Sequence, residues 1–286
     1  MTVPSHGARG GIVRPARRPA GWVAPGPPAL TPPDRPELWP AEGEDLCYLS
    51  GDWRILQRTD GHRWSLDDLV TAWLAAEVAG SPSRTLDLGC GLGTVLLLTA
   101  WRFPEARCLG VEAQELSFGL ARRSIAWNGV EARCEVRHGD FRDPALMPEG
   151  AQFDLVTGTP PYFPSGTGTE SDHVQRAPCR FEHRGGIEDY CLAAARLLAP
   201  SAPFVACETA NQQGRVLAAA HAAGLAVERW LDVIPRDGKP PLISVFALRH
   251  GPPPPSLTPD PPLIVRDAHG QRTPAFRALR ADMGMP

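Results

Sequence analysis

The chain has 286 residues, 43% of them hydrophobic and 21% charged, with a formal net charge of −3 at pH 7. That length gives room for one sizeable domain with extensions. The slightly acidic balance leaves no overall field to attract nucleic acid, so any RNA contact has to come from a local patch. No apolar run approaches the ~20 residues that a membrane-spanning helix needs, so a soluble protein is expected.

Seven cysteines are scattered without a Cys-x-x-Cys pair or paired Cys/His spacing. No zinc or other metal site is expected, and the thiols read as reduced core residues of a cytoplasmic protein. Glycine (28) and proline (32) are abundant, and the prolines crowd at the two ends. Lys239 is the sole lysine, a bias that points to genome composition rather than to RNA binding.

Taken in chain order, residues 1–44 are Pro-rich and lack hydrophobic periodicity, which predicts a disordered tail. Arg9, Arg14, Arg17 and Arg18 raise the alternative of a transit peptide, but the prolines around them would break the amphipathic helix it needs. Leu46–Leu49 and Trp53–Gln57 flank Ser50-Gly51-Asp52, a hairpin signal. A helix should follow Ser65, with Asp67 and Asp68 in its first turn and Gly80-Ser81-Pro82 ending it.

From Thr85 the pattern alternates. Strands are predicted at 85–88, 107–112, 134–137, 153–157 and 202–207, with helices at 94–102, 114–128, 186–198 and 211–223. Two closing strands, 226–233 and 242–248, are joined by a connection too short for a helical crossover, so they should pair antiparallel. This is an α/β arrangement with a mostly parallel sheet, helices on both faces and a ligand at the carboxyl ends of the strands. The domain should span 45–250, and 251–286 should form a Pro-rich extension with a short strand, Leu263-Ile264-Val265, and a short helix.

The first strand runs into Gly89-Cys90-Gly91-Leu92-Gly93 and then a helix. Glycine permits φ > 0 and close backbone approach to a ligand. A dinucleotide turn spaces its glycines G-x-G-x-x-G; here the third comes one residue early. The alternative is a purely structural glycine turn. Glu112 closes the second strand, where a carboxylate can accept from both hydroxyls of a ribose. Asp140 follows the third strand, where its oxygens suit an adenine amino group. Either acid alone would read as a solvated loop residue; the ordered set points to a nucleoside-like ligand.

The fourth strand ends in Thr159-Pro160-Pro161-Tyr162-Phe163. Two prolines fix the backbone and leave the Pro160 carbonyl without a local partner. Tyr162 can stack on a splayed-out base. A side-chain acceptor at 159 and the Pro160 carbonyl can together accept both hydrogens of an exocyclic amine, aiming its lone pair outward. The bland alternative is a Pro-Pro turn with a packed aromatic. The Gly/Ser/Thr-rich loop beyond it carries Arg176, Arg180 and Arg184, and reads either as a mobile solvated loop or as one that grips RNA.

The glycine spacing resembles motif I of S-adenosylmethionine (SAM) methyltransferases, and Asn/Asp/Ser-Pro-Pro-Tyr/Phe is the motif of amino-group methyltransferases. The chain resembles the bacterial valine-tRNA adenine N6-methyltransferases from about Leu46 to Gly284, through Gly61–Leu69, Asn128-Gly129, Gly139–Asp143, the loop 173–184, Pro235–Lys239 and Gly270–Pro274. The resemblance implies a Rossmann-like class I methyltransferase fold, with a seven-stranded, mostly parallel sheet containing one antiparallel strand, preceded by the hairpin and helix. It implies SAM held by Asp87, Gly89, Cys90, Gly91, Gly93, Glu112 and Asp140. Thr159, Pro160, Pro161 and Tyr162 would form the catalytic turn, and Phe163, Arg176, Arg180 and Arg184 would bind RNA, here a tRNA, in a monomeric enzyme. The family carries Asn where this chain has Thr159. Three readings therefore stay open: an RNA-base N-methyltransferase, a methyltransferase on another amine such as guanine N2 or protein glutamine, and a relative that kept the fold and lost the chemistry.

Overall fold

The computed structural model describes residues 5–6, 9–28, 35–164, 166, 175, 179 and 181–286. At its amino end lie short strands β1 (Ser5–His6) and β2 (Ile12–Val13), followed by the hairpin β3 (Glu44–Tyr48) and β4 (Arg54–Arg58). These four form one small sheet in sequence order. Helix α1 (Leu66–Ala79) follows, its Asp68 carboxylate accepting the Ser65 amide at 2.9 Å, and it ends at Gly80 with φ 65°. The alternating core comes next: β5 (Arg84–Leu88), α2 (Thr94–Arg102), β6 (Arg107–Glu112), α3 (Glu115–Trp127), β7 (Cys134–His138), β8 (Leu155–Gly158), α4 (Ile187–Leu197), β9 (Phe204–Thr209) and α5 (Gln213–Ala222). Strands β10 (Leu225–Ile234), β11 (Ile243–His250) and β12 (Leu263–Ile264) and helix α6 (Pro274–Asp282) complete the chain.

Among the described residues the main sheet has eight strands in the order β12-β10-β11-β9-β8-β5-β6-β7. Only β11 runs against the others, pairing antiparallel with both β9 and β10. The α/β class, the alternation and the single antiparallel strand are as expected. The eighth strand is an addition, because Leu263 and Ile264 pair in parallel with Val233 and Ile234. Two apolar layers cover the sheet. One packs α1, α2 and α3 against Cys108, Leu155, Val205, Cys207 and Val245; the other packs α4 and α5 against Leu86, Leu88, Val156, Phe204 and Phe246.

The amino end of the chain departs from expectation. Among the described residues of 1–44, the tail runs parallel to β3, with Ile12 opposite Asp45 and Val13 opposite Leu46. Arg14 pairs with the fully buried Asp45 at 2.7 Å, and Arg63 approaches the same carboxylate at 3.0 Å from the other side. Arg18 pairs with Asp52, stacks over Tyr48 and Trp22, and donates to the Gly51 carbonyl. The Pro27 carbonyl accepts from the buried Trp53 indole. What looked like a tail with little to bury is tied down through charges and carbonyls. The extension 251–286 has its expected short strand and helix, and it is packed in place: Phe276, Leu279 and Met283 are buried in the α1–α3 layer, and Ser50 and Gly51 bond the carbonyls of Met283 and Gly284.

Asn128, just past α3, supplies what a neighbouring strand would give β4: its amide oxygen accepts the Arg54 N–H and its nitrogen donates to the Arg54 carbonyl, both at 2.8 Å. Among the described residues no helix is long and apolar enough to cross a membrane. Deleting residues 1–28 removes the Arg14 and Arg18 ion pairs and the Trp53 acceptor. The deletion should lower unfolding stability in urea by about 2–4 kcal/mol, the scale of charge-assisted bonds around a buried carboxylate. An unchanged midpoint would return these residues to the status of a tail.

Candidate active site

Strand order reverses between β5 and β8, so the chains leaving these neighbours diverge and open a crevice at their carboxyl ends. A cleft of about 730 Å³ lies there, walled by the turns after β5, β6, β7, β8 and β9 and by the amino end of α1. A volume of this size takes a drug-sized or nucleoside-sized molecule.

The glycine turn sits at its centre. Gly89, Gly91 and Gly93 have φ of 58°, 55° and 81°, the left-handed region that L side chains rarely adopt. At Gly89 a Cβ would stand 2.2 Å from the Tyr190 hydroxyl, while at Gly91 it would meet nothing within 4 Å. The first glycine makes room for the protein itself; the second opens onto the cleft. Cys90 lines the cleft between them and donates its amide to the Val111 carbonyl at 2.9 Å, tying the turn to β6.

Glu112, 5% exposed at the end of β6, holds this turn in shape. One carboxylate oxygen accepts the Gly91 amide at 2.8 Å and the other the Gln114 amide at 2.6 Å. Burial pushes its pKa up, while those amides and the Arg184 charge pull it back. A carboxylate offers about four acceptor positions, so capacity remains for a further donor. Asp140 also lines the cleft, but its oxygens are gripped bidentately by Arg142 at 2.6–3.2 Å, and that pairing holds its carboxyl below the usual range. Phe141 and Tyr190, ring centroids 4.5 Å apart, also line the cleft.

Asp87 is placed differently from its expected role. It is absent from the lining of the cleft, because alternation along β5 turns it into the layer opposite Leu86 and Leu88. Its Oδ1 accepts the Thr157 hydroxyl at 2.8 Å, and burial pushes its carboxyl up to about 7. Gly93 likewise lies behind the cleft, packed on Ala121, and starts α2.

Thr159, Pro160, Pro161, Tyr162 and Phe163 all line the cleft on its β8 side. Thr159 is half-buried, and among the described residues no group donates to the Pro160 carbonyl. Phe163 is 43% exposed at the mouth, its ring 5.8 Å from that of Phe181. Arg184 lines the cleft too, close enough for its charge to lower the pKa of both Glu112 and Asp140. It therefore stands by the acids as well as by the Pro-Pro turn. Arg176 and Arg180 lie outside the described residues.

Several lining residues were not expected at the site: Gln114, Cys179, Tyr190, Leu242 and the acids Asp67 and Asp68 of α1. The two acids were visible only as helix-dipole partners; that the helix points its amino end into the cleft is a tertiary fact. Burial, with the neighbouring Asp67 charge, holds the Asp68 carboxyl well above its usual range. Among the described residues no group of three or more His, Cys, Asp or Glu is disposed to hold a metal.

The Asp87 carboxyl binds its proton more tightly in the fold than in the unfolded chain. Stability should therefore fall as pH rises from about 4 to about 7 and then level off. Asp87→Asn keeps an oxygen for Thr157 and removes the charge. It should stabilise the protein by roughly 1–4 kcal/mol at pH 8 and by much less at pH 5, read from urea unfolding at both values. An equal effect at both would show that Asp87 does not titrate in this window.

Residues 85–170 match a methyltransferase domain. The chain is similar to a tRNA1(Val) (adenine(37)-N6)-methyltransferase of Porphyromonas gingivalis, 33% identical over 135 residues, 46% of this chain and 52% of the relative. It thus spans about half the length of that protein. A Vibrio cholerae relative with the same name is 29% identical over 208 residues, 71% of this chain and 80% of the relative. Among solved structures, a predicted O-methyltransferase from Agrobacterium tumefaciens superposes with a TM-score of 0.57 at 21% identity, covering 77% of this chain and 98% of that one, which establishes the fold. The cleft fits the cofactor of such domains: Gly91 is open to it, and the buried Glu112 carboxylate lines it at the β6 end. The chain carries a methyltransferase domain of the class I fold, whose cofactor is SAM.

Proposed function

We propose that this protein methylates an exocyclic amine of an RNA base, adenine N6 of a tRNA. The observation that carries the reading is that the Thr159–Tyr162 turn and the Gly89–Gly91 turn line one cleft from the adjacent strands β8 and β5. Gly89, Cys90, Gly91, Glu112 and Asp140 would hold SAM, which when bound supplies an electrophilic methyl group. Two chemically distinct partners then meet over a single strand-to-strand spacing.

The residues on the β8 side orient the acceptor. An aromatic amine is a poor nucleophile while its lone pair is conjugated into the ring. If the Thr159 hydroxyl and the Pro160 carbonyl each accept one amine hydrogen, the nitrogen turns its lone pair towards the cofactor side. Those acceptors also stabilise the positive charge that grows on the nitrogen, so no strong base is needed before the bond forms; the methylated nitrogen is then acidic and releases one of its two protons to solvent. The threonine oxygen sits closer to the backbone than the amide oxygen of asparagine, so the base must seat deeper in the cleft. The Tyr162 face and the exposed Phe163 ring provide the flat apolar walls that an unstacked base requires. Arg184 supplies positive charge beside them for a phosphate.

The same pair of acceptors would hold a glutamine amide equally well. Labelled SAM incubated separately with tRNA, rRNA and release factor distinguishes the acceptors, and label in tRNA is expected. Label in release factor alone would overturn the RNA reading, and label in none would favour a relative without this chemistry. Glu112→Ala should weaken SAM binding in calorimetry by about 1–3 kcal/mol, the scale of unpaired hydrogen-bond partners; unchanged affinity would remove Glu112 from the cofactor site. Thr159→Val, similar in shape but lacking the acceptor, should lower kcat more than it raises KM for RNA. Full turnover in that variant would mean the amine is not held by this side chain.

A further inference from the structure

We infer that Asp67 is a positioning residue for the reaction: its carboxylate pins the Tyr162 ring and thereby fixes where the acceptor lies. The inference rests on the reading of Tyr162 as the wall against which the acceptor packs. The Tyr162 hydroxyl donates to Asp67 Oδ2 at 2.7 Å and lies 3.2 Å from Cys207 Sγ. Three elements meet at this oxygen: the turn after β8, the first turn of α1 and strand β9.

The clamp is rigid on the Asp67 side as well. Asp67 Oδ1 accepts the Ser65 hydroxyl and, at 3.1 Å, the Asp68 amide. The carboxylate is therefore held from both ends, at the positive end of a 14-residue helix that favours its charge. Burial and the neighbouring Asp67 charge push the Asp68 carboxyl towards its neutral form, which lessens the repulsion on Asp67. Burial also keeps the Cys207 thiol protonated, so it can donate to the tyrosine oxygen while the tyrosine donates to Asp67. A hydrogen bond to a charged acceptor is about twice as strong as a neutral one.

Two consequences follow for the substrate. With its hydroxyl committed, Tyr162 presents only its ring face, which favours a flat, conjugated acceptor over a small polar one. And because Pro160 and Pro161 separate Tyr162 from Thr159 with fixed φ, the tilt of the ring and the position of the two amine acceptors are coupled. Freeing the hydroxyl frees the far end of that unit. A misplacement of the reacting atom by about 1 Å can cost about 10²-fold in rate.

The test is a kinetic double-mutant cycle on the full chain, with Asp67→Ala, Tyr162→Phe and both together, using whichever acceptor the labelling assay identifies. Each single change should lower kcat by about 10–100-fold, with a smaller change in KM and no change in SAM affinity by calorimetry. The double variant should be no worse than the poorer single by more than about twofold. Asp67→Asn, which keeps an acceptor oxygen, should recover most of the loss. Thermal melts check that the variants fold; should Asp67→Ala fail to fold, Tyr162→Phe and Asp67→Asn still decide the matter. Multiplicative losses in the double variant, or an effect of Asp67→Ala on SAM affinity, would overturn the assignment while leaving a wild type that methylates RNA intact. A wild type inert on every acceptor would remove the proposed function and the positioning role together.

Discussion

The structure turns on one constraint: β5 and β8 lie side by side while the chain leaves them in opposite directions across the sheet. A gap opens where the two connections part, so a cleft is built into the topology. Everything functional borrows its position from that gap. The glycine turn lies on one side and the Pro-Pro-Tyr turn on the other, each fixed by its strand. Glu112 converts the gap into a shaped site by taking the Gly91 amide on one oxygen and the Gln114 amide on the other. A single carboxylate thus sets the turn while keeping capacity for a ligand.

Much of this was written locally in the sequence. Helix α2 begins and ends at the predicted residues, because the glycine turn before it and the apolar run within it are both local signals. The closing hairpin was legible too, within a residue or two at its ends, because a connection of only residues 235–242 is too short for a helical crossover and leaves antiparallel pairing. The cleft-facing glycines and acids could be read because their spacing follows the strand ends. Asp87 was misplaced by the same logic: it belongs to the motif in sequence, but strand alternation points it at Thr157 in the opposite layer.

What could not be read depends on contacts across long stretches of chain. Arg14 meets Asp45 across 31 positions, and Tyr162 meets Asp67 across 95. Neither contact leaves a periodic trace, since each is one polar group finding another. The amino-terminal residues lack an apolar stripe and so looked unfoldable, yet Arg14 reaches the buried Asp45 carboxylate that Arg63 also approaches, and this polar contact ties them to β3. The strand at Leu263–Ile264 was expected, but its place as the eighth strand of the main sheet was not, because so short a run declares no partner until β10 is in place.

The reading of the cleft comes down to the identity of one modified atom. The most direct measurement is mass spectrometry of nucleosides from unmodified tRNA incubated with the protein and SAM. N6-methyladenosine is the expected product, formed by wild type and strongly reduced by Tyr162→Ala, which loses roughly 1–3 kcal/mol of stacking. A digest that holds a methylated nucleoside with no modified exocyclic amine would contradict the mechanism, since a threonine hydroxyl and a proline carbonyl can orient only a group that brings two hydrogens.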